Sequence, residues 1–218
     1  MSQERFYYLD NNATTRVAPE VADAMIPFLR DGWANPSSAY RIATDVHKAV
    51  EGARTKIAEL IHAEPKEITF TSCGTESNNT AIHSALVTQP GKRHVITTAV
   101  EHSANINYGE FLQKQGHEVT FLPVDSDGSL DLHLLEKAIR PDTAIVSTMW
   151  ANNETGVLFP IEEIAAICRS KGVLFHTDAV QTPGKMKIDV KAIGVDFLSL
   201  SAHKLYAPKG IGLLYVKR

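Results

Sequence analysis

Seven short runs rich in β-branched and aromatic residues punctuate the chain: EITFTS, HVITT, EVTFLPV, TAIVSTMW, VLFHTD, DFLSLS and GIGLLYV. Most are separated by stretches whose apolar residues recur at three- and four-residue steps, so strand signals alternate with helix signals. No other feature narrows the fold as much. Parallel strands need long crossover connections, usually helices. The alternation therefore predicts an α/β fold, a mostly parallel mixed sheet flanked by helices on both faces.

The clearest helical pattern runs from about Ser38 to His62, with Ile42, Val46, Val50, Ala53, Ile57, Leu60 and Ile61 on one face. A second opens at Pro160, carries Ile161, Ile164, Ala165 and Cys168, and stops at Lys171-Gly172. A third follows Ser129, the expected N-cap, through Leu132, Leu135 and Ile139.

Bulk properties exclude several classes of function. The 218 residues are 44% hydrophobic and 22% charged, the balance of an ordinary globular chain. A net charge of −3 gives no electrostatic argument for nucleic acid or an anionic membrane as partner. No apolar stretch approaches the roughly 20 residues that span a bilayer, and MSQERFYYLDNNATT has no apolar signal core. Two distant cysteines, Cys73 and Cys168, make neither a disulfide framework nor a paired-CxxC zinc site. A cytoplasmic location is the expectation.

In parallel sheets the carboxyl ends of the strands gather ligand-binding groups, so the residues delivered there carry the functional argument. After ITFTS, Gly74-Thr75 leads straight into a helix whose first turn offers free N–H groups, an arrangement that holds a phosphate or merely caps a helix. The next strand ends in Glu101-His102, and the one after it in Asn152-Asn153, a doublet that can equally make an Asx turn. VLFHTDAVQT delivers His176, Asp178 and Gln181, and an aspartate in so apolar a run needs a cation or several donors. DFLSLSAHK delivers Ser201, His203 and Lys204. A lysine there is either a snorkelling surface group or a desolvated amine nucleophile. A phosphate cup, an aspartate, an aromatic-ring neighbour and an amine are together the requirements of pyridoxal phosphate. Neither GxGxxG nor a P-loop occurs, which weakens a nucleotide reading.

The segments YLDNNATT, NPSS, FTSCGTESNN, VEHSAN, NNETGV, HTDAVQTPGK and SLSAHKLYAPKGIGLLYVKR resemble, in order and over essentially the whole chain, the NifS-type cysteine desulfurases. These are a branch of the class V aminotransferases with the fold-type I architecture of pyridoxal phosphate enzymes. The resemblance implies that Lys204 holds the cofactor as a Schiff base, Asp178 pairs with its ring nitrogen and His102 stacks on the ring and shuttles protons. Gln181 and Asn153 would approach the ring oxygen, and Gly74, Thr75, Ser201 and His203 would hold the phosphate. The implied reaction converts L-cysteine to L-alanine and an enzyme-bound persulfide. Its sulfur passes to an iron–sulfur scaffold or other acceptor protein, and the family works as a homodimer.

In that family the persulfide-forming cysteine and the arginine that holds the substrate carboxylate follow the cofactor lysine, on sequence not found here. The expectation is an N-terminal segment (1–15), a large cofactor domain (16–218) and a C-terminal small domain largely absent. Such a truncated chain is expected to be inactive alone and to expose apolar surface. The alternatives are a non-catalytic cofactor-binding or partner-binding remnant, a selenocysteine lyase or another class V enzyme. A further one is a two-His-one-carboxylate iron site of His176, Asp178 and His203, at odds with the alternating strand–helix pattern.

Overall fold

The computed structural model describes residues 7–218. All seven expected strands form: β1 Ile68–Thr71, β2 His94–Thr98, β3 Glu118–Leu122, β4 Thr143–Met149, β5 Leu174–Asp178, β6 Phe197–Ser201 and β7 Gly212–Val216. They make one sheet in the order β1-β7-β6-β5-β4-β2-β3. Pairing is parallel from β3 through β2, β4 and β5 to β6, while β7 runs antiparallel to both β6 and β1. The expected mostly parallel mixed sheet is therefore present. β2, β4 and β6 are buried along their whole length, which is why they read as continuous apolar or small-residue runs.

Helices cover both faces. α3 (Gly74–Thr88) sets Ala81, Ile82, Ala85 and Leu86 against Val95, Ile145, Phe197 and Leu214. On the other face, α6 (Ile161–Ser170) buries Ile161, Ile164, Ala165 and Cys168 against Phe175, Val146 and Leu198. Pro160 stands at the N-cap of α6, so the helix begins at Ile161, one residue after the expected start. α5 (Leu132–Ala138) begins later than predicted, because Asp131 and not Ser129 caps it: its carboxylate accepts from the backbone N–H of His133 and Leu134. α4 (Ser103–Lys114) follows His102, and α7 (Val190–Ile193) is capped by Asp189.

Two helices cover little. α2 occupies Arg41–Leu60, inside the predicted span, yet only Ala43 and Ala58 are buried, while Ile42 and Leu60 of its predicted stripe are exposed. α1 (Pro19–Arg30) buries nothing among the described residues, and Phe28 and Leu29 are 46% and 75% exposed.

One glycine governs how the sheet meets its loops. A Cβ on Gly212, the first residue of β7, would lie 2.6 Å from the backbone carbon of Cys73. Only glycine lets the β1–α3 turn lie across β7 there. That turn consequently reaches Ser201 at the end of β6, although β1 and β6 are not neighbours.

Candidate functional site

All nine residues singled out from the sequence line one cleft at the carboxyl ends of the parallel strands: Gly74, Thr75, His102, Asn153, Asp178, Gln181, Ser201, His203 and Lys204. One end is the Gly74-Thr75 turn with the N-terminus of α3. A Cβ on Gly74 would come within 2.9 Å of Val180 Cγ2 and 3.5 Å of Ser201 Cβ, so the backbone is bare where a ligand's phosphate would approach. Ser201, Thr75 and His203 add hydroxyl and imidazole groups around it.

Asp178 lies opposite, buried at the end of β5. Its Oδ1 accepts from the Val180 N–H at 3.0 Å and its Oδ2 from Asn78 Nδ2 at 2.7 Å. Burial raises its pKa, while those two hydrogen bonds and the charges of His102 and Lys204 pull it back. Lys204 is half-buried, and its pKa is lowered by burial and then by the charge of Lys185, against the attraction of Asp178. Its Nζ donates to the backbone carbonyls of Asn12 and Ala13.

His102 caps α4, its Nδ1 accepting from Ala104 N–H at 3.1 Å, and it remains exposed. His203 meets Thr14 Oγ1 through Nδ1 at 3.0 Å; burial first, and nearby Lys204 and Lys209, lower its pKa. The Asn152-Asn153 doublet divides cleanly. Asn152 Oδ1 accepts from Glu154 and Thr155 N–H in an Asx turn, whereas Asn153 lines the cleft.

The iron triad is not assembled. His176 is fully buried, with Nδ1 and Nε2 each 2.8 Å from a serine hydroxyl, Ser147 and Ser199. Neither nitrogen is left for a metal, and the described residues contain no cluster of three or more ligand-type side chains suited to one.

Sequence reasoning missed three contributors. The Asn12–Thr14 segment crosses the cleft, with Gln181 Nε2 donating to Asn12 O at 2.9 Å and Asn12 Nδ2 to Asn153 O at 3.2 Å. Asn78 holds Asp178 from α3. Glu101, beside His102, is buried and accepts from Thr98 Oγ1, Met149 N–H and Asn105 Nδ2, tying β2, β4 and α4 together. Burial pushes its carboxyl up to about 7.

The donor set fits pyridoxal phosphate. A phosphate suits the glycine turn and helix N-terminus, a protonated ring nitrogen suits the buried carboxylate, and an aldehyde suits the lysine amine of the same cleft. Comparisons with known proteins agree. The aminotransferase class-V family matches residues 7–218. Cysteine desulfurase 2 of Trichormus variabilis is 56% identical over 97% of this chain and 53% of its own length. Cysteine desulfurase NifS of Azotobacter vinelandii is 51% identical over the same shares. Among solved structures, a NifS-like protein superposes with TM-score 0.93 at 42% identity, covering 96% of this chain and 58% of that one. SspA, solved in complex with cysteine, superposes with TM-score 0.93 at 41% identity, covering 96% and 60%. The chain spans about half the length of the curated relatives it matches. It belongs to the class V aminotransferase family, pyridoxal phosphate enzymes, and groups there with the cysteine desulfurases.

Proposed function

We propose that residues 16–218 are the cofactor-binding domain of a cysteine desulfurase, with L-cysteine as substrate and a sulfur acceptor protein as recipient. The observation that carries this is the cleft itself, where a buried carboxylate and a lysine of lowered pKa stand beside a glycine-lined anion cradle. The cysteine bound in the SspA structure supports the choice of substrate. Two free thiols suit a reducing, cytoplasmic setting.

When bound, pyridoxal phosphate supplies an aldehyde that captures an amine and an electron sink for the carbanion left by proton removal. Gly74, Thr75, Ser201 and His203 would hold its phosphate. Asp178 would accept from the protonated ring nitrogen, whose positive charge would favour the ionised carboxylate. His102 would stack on the cofactor ring, and Gln181 and Asn153 would approach its oxygen. Lys204 Nζ would hold the cofactor aldehyde and would serve as the base for the substrate Cα proton; burial lowers its pKa, which favours the neutral amine such a base needs.

Neither cysteine has the character of a sulfur acceptor. Cys168 is buried on α6, and burial pushes its thiol up to about 12. At the N-cap of α3, burial works against ionisation of Cys73, but hydrogen bonds from Glu76, Ser72 and Thr75 outweigh it and lower the pKa. Cys73 is nevertheless tied to the cradle turn. These 218 residues alone are therefore expected to bind the cofactor without completing sulfur transfer.

Borohydride reduction with pyridoxal phosphate, followed by intact mass and peptide mapping, tests the reading. A pyridoxyl-phosphate mass on the Lys204 peptide, lost in Lys204→Ala, is the expected result. A folded chain unmodified at Lys204 would overturn the proposal. Alanine and sulfide formed from cysteine at enzyme-like rates would overturn the inactivity of the chain alone.

A further inference from the structure

Asp178 has an unusual setting for a buried charge. Among the described residues it makes no ion pair, and its two oxygens have one neutral donor each. The Val180 N–H comes with the local turn, since it lies two residues along the chain. The other donor comes from 100 residues away: Asn78, in the second turn of α3 and 1% exposed.

Asn78 is costly as mere filler. Its Oδ1 is buried without a hydrogen-bond partner, a state that costs about 1–3 kcal/mol. Its neighbours toward the sheet, Ala81, Ile82 and Ala85, show that small or apolar side chains pack there without a polar group. An ionised carboxylate only accepts hydrogen bonds, so the amide must turn its NH2 to Asp178, leaving its oxygen unmatched. Glu101, a second buried carboxylate, feels the field of Asp178 as repulsion, so the acidic pair opposes its own ionisation. Lys204 and His102 favour the ionised form of Asp178 only as nearby charges, without a hydrogen bond to it.

We infer that Asn78 is a positioning residue for Asp178: it aims the carboxylate into the cleft and keeps it ionised for a cationic ring nitrogen. This rests on the cofactor reading above. It also gives α3 two duties, a phosphate at its first turn and, one turn on, the acid that faces the other end of the ligand.

Two variants test it. Asn78→Ala removes the donor in a residue well suited to a helix, and Asn78→Asp keeps the shape but sets an acceptor against the carboxylate. Circular dichroism melting checks each fold, equilibrium dialysis measures pyridoxal phosphate affinity, and the visible band of the bound cofactor is followed against pH. Asp178→Asn serves as the reference for a lost charge. The expected result is affinity lowered about tenfold to a hundredfold in both variants. The pH midpoint of the visible band should move upward, furthest in Asn78→Asp. Folded variants with wild-type affinity and an unmoved pH midpoint would overturn the inference. A loss of affinity with an unmoved midpoint would also overturn it, reducing Asn78 to a packing residue. If the unaltered chain forms no adduct at Lys204, the cofactor reading falls and this inference falls with it. If it forms the adduct and only the variants disagree, this inference alone fails.

Discussion

His176 and His102 belong to two regions of one sheet and meet opposite fates. His176, inside β5, joins three strands through Ser147 on β4 and Ser199 on β6, and burial holds its ring neutral down to about 3. His94 repeats the device at the far end of β2, meeting Thr143 and Thr120 at 2.8 Å each. At the carboxyl edge, His102 commits Nδ1 to the first turn of α4, and no partner meets Nε2 among the described residues. His203 does likewise with Thr14. Inside the sheet both ring nitrogens cross-link strands; at its edge each histidine commits only Nδ1, to a backbone N–H at His102 and to a threonine hydroxyl at His203. Among the described residues the buried pair, His94 and His176, have two hydrogen-bond partners each for their rings, and the pair at the cleft, His102 and His203, have one each.

His176→Ala should put the largest strain on this contrast. It leaves a cavity and two unpaired buried hydroxyls, and is expected to cost about 4 kcal/mol in urea denaturation. An unchanged midpoint would end the claim that His176 is a cross-link.

The next effect, about 3 kcal/mol, comes from pH. Glu101 is raised from 4.5 to about 7, so its stabilisation is complete below pH 4.5 and lost as pH rises through about 7. His176 is depressed from 6.5 to about 3, so burying it neutral is favourable above pH 6.5 and increasingly unfavourable as pH falls toward 3. The two slopes cancel between pH 4.5 and 6.5. Glu101→Gln should unmask the histidine, with stability then climbing as pH rises through that window. The glutamine is accommodated because Asn105 Oδ1 has no partner and can accept from the new amide. A slope equal to wild type would refute the pairing.

His102→Ala should cost only about 1 kcal/mol, the loss of a helix cap. It should nonetheless change the visible spectrum and affinity of bound pyridoxal phosphate, the reverse of the pattern for His176.

The smallest change in stability is expected at α1. Replacing Phe28 and Leu29 by serine should alter the unfolding free energy by less than about 0.5 kcal/mol, since neither is buried. Binding of a hydrophobic dye and concentration-dependent self-association should both fall. α6, with its apolar face against the sheet, is the control that α1 fails to match.

Much of this was legible in the sequence. Each strand announced itself as a β-branched run, and strand ends are where parallel sheets collect function, so the cleft residues could be named from local context. Strand order was not legible, because nothing in GIGLLYV says that β7 enters antiparallel between β1 and β6. The α2 stripe misled for a related reason: periodicity marks an apolar face but not what covers it, and Ile42 and Leu60 are bare. Asn78 and Asn12 escaped because their meaning lies in contacts 100 and 192 residues distant. Glu101 stood beside a residue already singled out, yet a carboxylate held by three donors from two strands and a helix has no local signature.

The bare backbone of Gly212 has a consequence for the order of events in folding. Among the described residues β1 has no partner in the sheet except β7, and Ser77 in α3 is fastened to Leu213 across 136 residues. Contacts of such span form only after their loop-closure entropy has been met, so they belong to the slow end of folding. The cradle at Gly74 therefore cannot take its final shape while β7 is loose, however early β2, β4 and β5 associate. Binding of the cofactor would then report the last step of folding, and a partly folded chain would be blind to it.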